Sequence, residues 1–430
     1  DKAIAFFRKA GEHAVKLFAN EEAVRHFSRG LELLKSYPDR NNLAEEKLQL
    51  QLPLAVSLMH YKGYGDSEVM KAFTKARELC DQIGDTPQIA IALHGMGAYY
   101  CTKMEYNTAI KLADRILRIA QKAPDPIPLL LVGHNGQSID MTLVGESERA
   151  LKHAQQLFDL YDPQKHQSII YTFGIDLKVV SMSYSILNLW IRGYPDQAKK
   201  MSRDAIMYCR ELNHPPSLSF ALFLSNVLHF VCGDIMNFKK HTDEFFELTT
   251  EYGLILWIGY ANILKGWYTC EQGLISKGIA EMRKGLTIFE KAGIKMFQTF
   301  NCTLFAIIYS KVGRLDKGLA TLEEGLSLVE KNGERFYEAE IYRLKGELLF
   351  LQGENEVIVE RHYKKAIKVS HSQSAKSLEL RAVMSLSKLM MKQGKIEKPR
   401  EMLSKIFNWF SEGFDTKDLQ DAQILLKEFE

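Results

Sequence analysis

The sequence predicts an all-α protein, a right-handed solenoid of about ten helix pairs followed by a C-terminal capping helix. Three observations predict it. Glycines recur at a fixed spacing of forty, at Gly193, Gly233, Gly273, Gly313 and Gly353, with Gly394 one residue late. A fixed period of 20–50 residues marks a repeat architecture. Apolar residues on either side of these glycines follow helical spacing, and strand signals are nearly absent. The 11 prolines and 28 glycines fall mainly at turns.

The repeat around Gly313 illustrates the unit. "FNCTLFAIIYSK" is an apolar first helix, ended by Gly313 with φ > 0. Asp316 is the expected N-cap of a second helix. That helix places Leu319, Leu322, Leu326 and Val329 on one face. Gly318 and Gly325 lie seven apart on a neighbouring stripe, as Gly278 and Gly285 do one repeat earlier. Glycine inside a helix costs roughly 1 kcal/mol relative to alanine, so these positions need a reason. The tetratricopeptide pattern supplies one, because it wants small residues where the two helices of a hairpin approach. The repeat at Gly193 uses Ala198 and Ala205 instead.

In chain order, the first pair turns between Gly11 and Ala23, with Phe27 and Gly30 in phase. The second turns at Gly63 and Gly65, with Phe73 and Ala76 following. The third carries Gly97, Tyr100 and Ala109, and the fourth turns at Gly145 before Ala150 and Ala154. From Gly145 to Gly193 the spacing is 48, so extra residues lie at about 160–180. They form either a long inter-repeat loop or a soft boundary. Six regular pairs follow, and a last helix near 416–429 caps the array, as terminal repeats must. Residues 1–430 read as a single solenoid. The chain starts at Asp1 and is expected to be a piece of something longer.

Net charge is +3 with acids and bases interleaved, which leaves no electrostatic footprint for nucleic acid. Apolar runs such as "IPLLLV" are too short to span a bilayer, and no signal-peptide pattern is present. Six scattered cysteines among apolar neighbours read as reduced and buried in a cytoplasmic protein. No P-loop, H-E-x-x-H, C-x-x-C or G-x-S-x-G occurs. His94 and His134 are lone histidines on helices. Glu334, Glu338 and Glu340, beside Arg335, Arg343 and Lys345, read as an ion-paired helix face. No catalytic constellation, cofactor or metal site is expected.

What remains is surface. Projected onto the first helices, the repeat phase points Ser183, Leu187 and Trp190 inward, then Phe220, Phe223 and Phe230. Tyr260, Ile263 and Trp267 follow, then Phe300 and Ile307. Towards the C-terminus the same positions hold Glu340, Arg343, Glu347, Arg381 and Lys388. The candidate partner-binding groove is therefore Trp190, Phe220, Phe223, Phe230, Tyr260, Trp267, Phe300, Arg343 and Arg381. Such grooves take peptides or amphipathic helices on aromatic anchors. If the phase slips by one residue, the same rings are core between helices.

Several segments resemble one family: "LWIRGYPDQA" (189–198), "CRELNHPPSLSFAL" (209–222), "ILKGWYTCEQG" (263–273), "GERFYEAEIYRLKGELL" (333–349) and "WFSEGFDTKDLQDAQILL" (409–426). It is the C-terminal tetratricopeptide-like region of large bacterial signalling proteins. In these a class III adenylate/guanylate cyclase or another effector, then a STAND-type ATPase, precede the helical array. The resemblance covers nearly the whole chain. It implies a non-catalytic interaction or sensor module that binds a protein or peptide partner and biases the attached ATPase or cyclase. It carries no catalytic residue onto this sequence. Two other readings stand beside it. One is a small-molecule sensor with a pocket at Trp190, Tyr260 and Trp267 inside the superhelix. The other is a free-standing adaptor.

Overall fold

The computed structural model describes residues 2–37, 42–84, 87–167 and 169–429. Among them are 23 helices and no strand. Ten helix pairs follow in order: α1 (Lys2–Lys16) with α2 (Asn20–Leu34), α3 (Leu43–Lys62) with α4 (Ser67–Ile83), α5 (Ile89–Thr102) with α6 (Tyr106–Ala120), and α7 (Ile127–Leu143) with α8 (Ser147–Leu160). Two short helices, α9 (Pro163–His166) and α10 (Ile169–Phe173), fill the 160–180 segment. The array resumes with α11 (Leu177–Ile191) and α12 (Pro195–Leu212), α13 (Pro215–Cys232) and α14 (Ile235–Glu251), α15 (Ile255–Glu271) and α16 (Ile275–Ala292). It ends with α17 (Gln298–Lys311) and α18 (Leu315–Asn332), α19 (Glu338–Leu351) and α20 (Glu356–Ser372), α21 (Lys376–Lys392) and α22 (Glu397–Phe407), and the cap α23 (Lys417–Lys427).

The glycine period has the expected backbone cause. All six glycines from Gly193 to Gly394 have φ between 70° and 91°. A second series interleaves with it: Asn213, Gly253, Gly293, Gly333 and Ser374 have positive φ at the ends of the second helices, and Gly413 has it in the loop after α22. From Gly193 onward the punctuation is thus one left-handed residue about every twenty, near the end of each helix. Asp316 is not the N-cap of α18. That place belongs to Arg314, and Asp316 lies in the first turn, accepting from Gln352 Nε2 at 2.6 Å.

The helix-interior glycines mark close backbone approach. A Cβ on Gly285 would lie 2.5 Å from the carbonyl oxygen of Gly259, and one on Gly266 would lie 2.5 Å from that of Gly278. Two glycines of α15 thus face two of α16, and no side chain fits between them. Second helices are amphipathic and bury one stripe. First helices of the middle repeats are buried nearly all round: in α11 every residue but Lys178 and Leu189 is buried. One helix among the described residues, α13, is long and apolar enough to cross a membrane, but 78% of it is buried inside the protein, as a core helix is.

Candidate functional site

The superhelix winds tightly enough for its second half to lie against its first. Backbone bonds join the two, Lys295 N to Thr102 O at 2.8 Å and Arg335 N to Leu143 O at 2.9 Å. Side chains do the same. Ser377 Oγ donates to Trp190 O at 2.5 Å. Arg381 donates to Asp418 at 2.8 Å, Glu340 at 3.3 Å and Val231 O at 2.6 Å.

Glu334 is the most completely satisfied of these staples. It is fully buried and receives four bonds: Tyr106 Oη at 2.6 Å, Phe297 N at 2.7 Å, Thr299 N at 2.8 Å and Thr299 Oγ1 at 2.6 Å. It therefore caps the start of α17 from the next repeat while holding Tyr106 of α6. Burial pushes its pKa up against these bonds. The sequence reading of Glu334 as part of an ion-paired face is corrected here, for its partners are neutral donors. Glu338 and Glu340 do pair, with Arg335 at 2.8 Å and Arg343 at 2.7 Å.

This closure decides where the candidate groove residues sit. Trp190, Phe223, Tyr260, Trp267 and Phe300 are buried, and Phe220 and Phe230 half-buried, in one continuous core. Trp190, Phe230, Trp267 and Phe300 fill space between helices. Phe230 packs edge-on against Trp267 (4.9 Å) and Phe300 (5.5 Å). Trp190 lies under the Arg381 guanidinium at 5.0 Å. Arg343 pairs with Glu340 and Glu347. Arg381 holds the C-terminal repeats onto the middle of the array through Val231 O and the Trp190 ring, whereas Arg343 bonds only within the C-terminal repeats.

Phe220, Phe223 and Tyr260 have a different setting. With Tyr184, Trp257 and Phe297 they wall a cavity between the turns. Phe223 meets Tyr260 at 4.3 Å and Phe297 at 5.4 Å, and Phe220 meets Trp257 at 4.8 Å. The opposite wall comes from α5 and α7, through Gly97, Cys101, Thr102, Asn135 and Asp140. The cavity measures about 90 Å³ to the centres of water-sized molecules. That is smaller than the roughly 150 Å³ apolar cavity that accommodates benzene. The 160–180 segment closes in on this region, with Phe173 against His94 at 5.1 Å and Ile175 on the wall. His94 also lines the cavity, and burial depresses its pKa to about 4, so it is neutral. His134 instead pairs with His153, 2.9 Å between their Nδ1 atoms.

Asp140 stands out within that wall. Helix α7 carries an unusual run of buried polar residues, "HNGQSIDMT". The others are bonded: Asn135 donates to Leu177 O and Ser181, Gln137 to Asp114, Ser138 to Asn135 O, and Thr142 accepts from Asn188. Asp140 is 4% exposed and no ion pair reaches it among the described residues. Its side-chain partner is the thiol of Cys101, a weak donor. Burial pushes its pKa to about 8. Sequence reasoning passed over Asp140, because nothing local separates it from its equally polar neighbours in α7. Among the described residues no group of His, Cys, Asp or Glu is placed to hold a metal ion. All six cysteines are free and buried.

These features define a tetratricopeptide-like solenoid with a cavity between its turns. No family model matches the chain. A curated relative, an uncharacterised protein of Rhizobium meliloti (strain 1021), is 20% identical over 391 residues, 90% of this chain. The chain spans 38% of that relative's length. Among solved structures, a Rap protein complexed with Competence and Sporulation Factor aligns with a TM-score of 0.62 at 12% identity, covering 87% of this chain and 99% of that one. The Rap conjugation gene regulator of plasmid pLS20, in complex with the Phr* peptide, aligns with a TM-score of 0.53 at 12% identity, covering 86% and 96%. At that identity the likeness is one of fold.

Proposed function

We propose that this array is a sensor module that takes a small ligand into the cavity between its superhelical turns and thereby biases an attached effector. The observation that carries the reading is the position of the cavity. Its walls belong to both turns, and Thr102 and Met296 on its lining flank the bond from Lys295 N to Thr102 O. A ligand there touches the seam that sets the pitch of the solenoid. Differential affinity for two pitches is what a ligand needs to shift an equilibrium. The attached effector is proposed as an ATPase or nucleotide cyclase, from the sequence resemblance and from a relative much longer than this chain.

A peptide or protein partner is the second reading, favoured by the fold likeness to a Rap regulator solved with a peptide. The two separate in one experiment. Gly97 is helical, lines the cavity, and a side chain on it would meet open space. Gly97→Leu therefore fills the cavity without disturbing the outer surface. Thermal-shift screening of the wild type against a metabolite library should give stabilising compounds that the folded Gly97→Leu variant no longer recognises. Compounds that stabilise both proteins equally would move the site elsewhere and leave the peptide reading.

A further inference from the structure

The cavity combines two features that point to one ligand chemistry. Its lining includes one carboxyl group and no lysine or arginine. Opposite stand the faces and edges of six aromatic rings. We propose that the cavity is a receptor for a small organic cation, an alkylammonium, with Asp140 as counter-ion, its carboxyl proton passing to solvent as the cation enters, and the rings of Trp257, Tyr260 and Phe223 as its cage. This rests on the sensor reading above and names the ligand class.

The contrast with Glu334 is the first support. A buried carboxylate kept for structure is surrounded by donors, and Glu334 has four. Asp140 is also buried, lines the cavity, and has a thiol. A buried charge without a partner is strongly disfavoured, so Asp140 lacks what a cation would supply. The second support is the aromatic wall. Ring faces attract cations through their quadrupoles, and desolvated cages of this kind recognise alkylated ammonium groups. The other titratable groups on the wall do not compete. His94 is neutral, and burial raises Cys101, Tyr64, Tyr184 and Tyr260 so that all stay protonated. An anionic ligand would meet the carboxyl with no compensating base, and the same set of groups excludes it.

The test uses matched probes on the full 430-residue chain. Choline and n-butylammonium are titrated by calorimetry beside their neutral counterparts, 3,3-dimethylbutan-1-ol and butan-1-ol. The cations should bind at least tenfold more tightly than the alcohols. Asp140→Asn should reduce cation binding at least tenfold and leave alcohol binding within twofold. Phe220→Leu, at a half-buried cavity position, serves as a second variant, and should weaken the cations more than the alcohols. Equal binding of each cation and its neutral counterpart overturns the cation assignment while leaving a working cavity. Cation binding untouched in folded Asp140→Asn overturns it as well. Binding of none of the four probes to the wild type overturns both the assignment and the sensor reading beneath it.

Discussion

Asp140 makes its burial measurable without any ligand. A buried carboxyl whose folded pKa is about 8, against an ordinary value of about 3.9, holds a proton in the folded state that the unfolded state releases. Between those two values the folded state binds more protons, so its stability falls as pH rises. A tenfold difference in proton affinity between the two states corresponds to about 1.4 kcal/mol, so the loss across the window is on the order of a few kcal/mol. Asp140→Asn removes that slope. Thermal melts of the two proteins should therefore run close together near pH 5, with the variant increasingly the more stable towards pH 9. Glu334 is also raised by burial, but it is present in both proteins and cancels. Parallel melting curves from pH 5 to pH 9 would show that Asp140 is not held in a desolvated site. The residue was hard to find in the sequence because nothing local marks it. Its neighbours in α7 are as polar as it is, and only their tertiary partners on α6 and α11 separate the satisfied from the unsatisfied.

Glycine has two separate jobs at the scale of a helix pair, and substitution tells them apart. Gly273 ends α15 with φ 86° and a Cβ there would meet nothing. Gly273→Ala should cost about 1–2 kcal/mol, from the left-handed conformation alone. Gly278 has an ordinary helical backbone, and a Cβ there would strike the Gly266 carbonyl and Cys270. Gly278→Ala gains up to about 1 kcal/mol of helix propensity yet forces α15 and α16 apart, and overpacking typically costs about 1–3 kcal/mol. Urea denaturation should show both variants destabilised, with a cysteine-reactive probe reaching Cys270 faster only in Gly278→Ala. Unchanged Cys270 reactivity in that variant would mean that the two helices are not in backbone contact. This level of structure was largely legible beforehand. The forty-residue glycine spacing marked the regular pairs, and the paired glycines marked their close approach. The twenty-residue series was obscured because Asn213 and Ser374 take the left-handed place where glycine is the expected residue. Asp316 misled because N-cap preference and first-turn preference both favour aspartate.

The closure of the superhelix could not be read from one repeat. Each unit packs on its neighbours by local rules, but whether distant repeats meet depends on small rotations summed over several of them. The joining hydrogen bonds span 150 to 228 residues. That is why the stripe of aromatics projected onto the inner face sits in the core, with a cavity where Asp140 and the rings fail to fill the axis. Arg381 is the place to test the closure itself. Its guanidinium, on α21, packs half-buried against Asp418 of α23, Glu340 of α19, the carbonyl of Val231 at the end of α13, and the ring of Trp190 on α11. Arg381→Ala would leave Asp418, whose side chain is 20% exposed, without this cation and Glu340 with Arg343 alone, a loss of roughly 1.5–3 kcal/mol for charged hydrogen bonds, below that of a fully buried pair. Lys345→Ala removes a pair with Glu323, whose side chain is 59% exposed, and should cost no more than about 1 kcal/mol. Hydrogen exchange should then locate the damage. In Arg381→Ala, protection should fall in α19, α21, α23 and the last turn of α13 while α1 to α4 keep theirs, because the N-terminal pairs touch none of Arg381's partners. Loss of protection confined to α21 and α23 would mean that the C-terminal repeats are held by their neighbours alone. The stacked turns would then be a weak contact and not the element that a ligand in the cavity could shift.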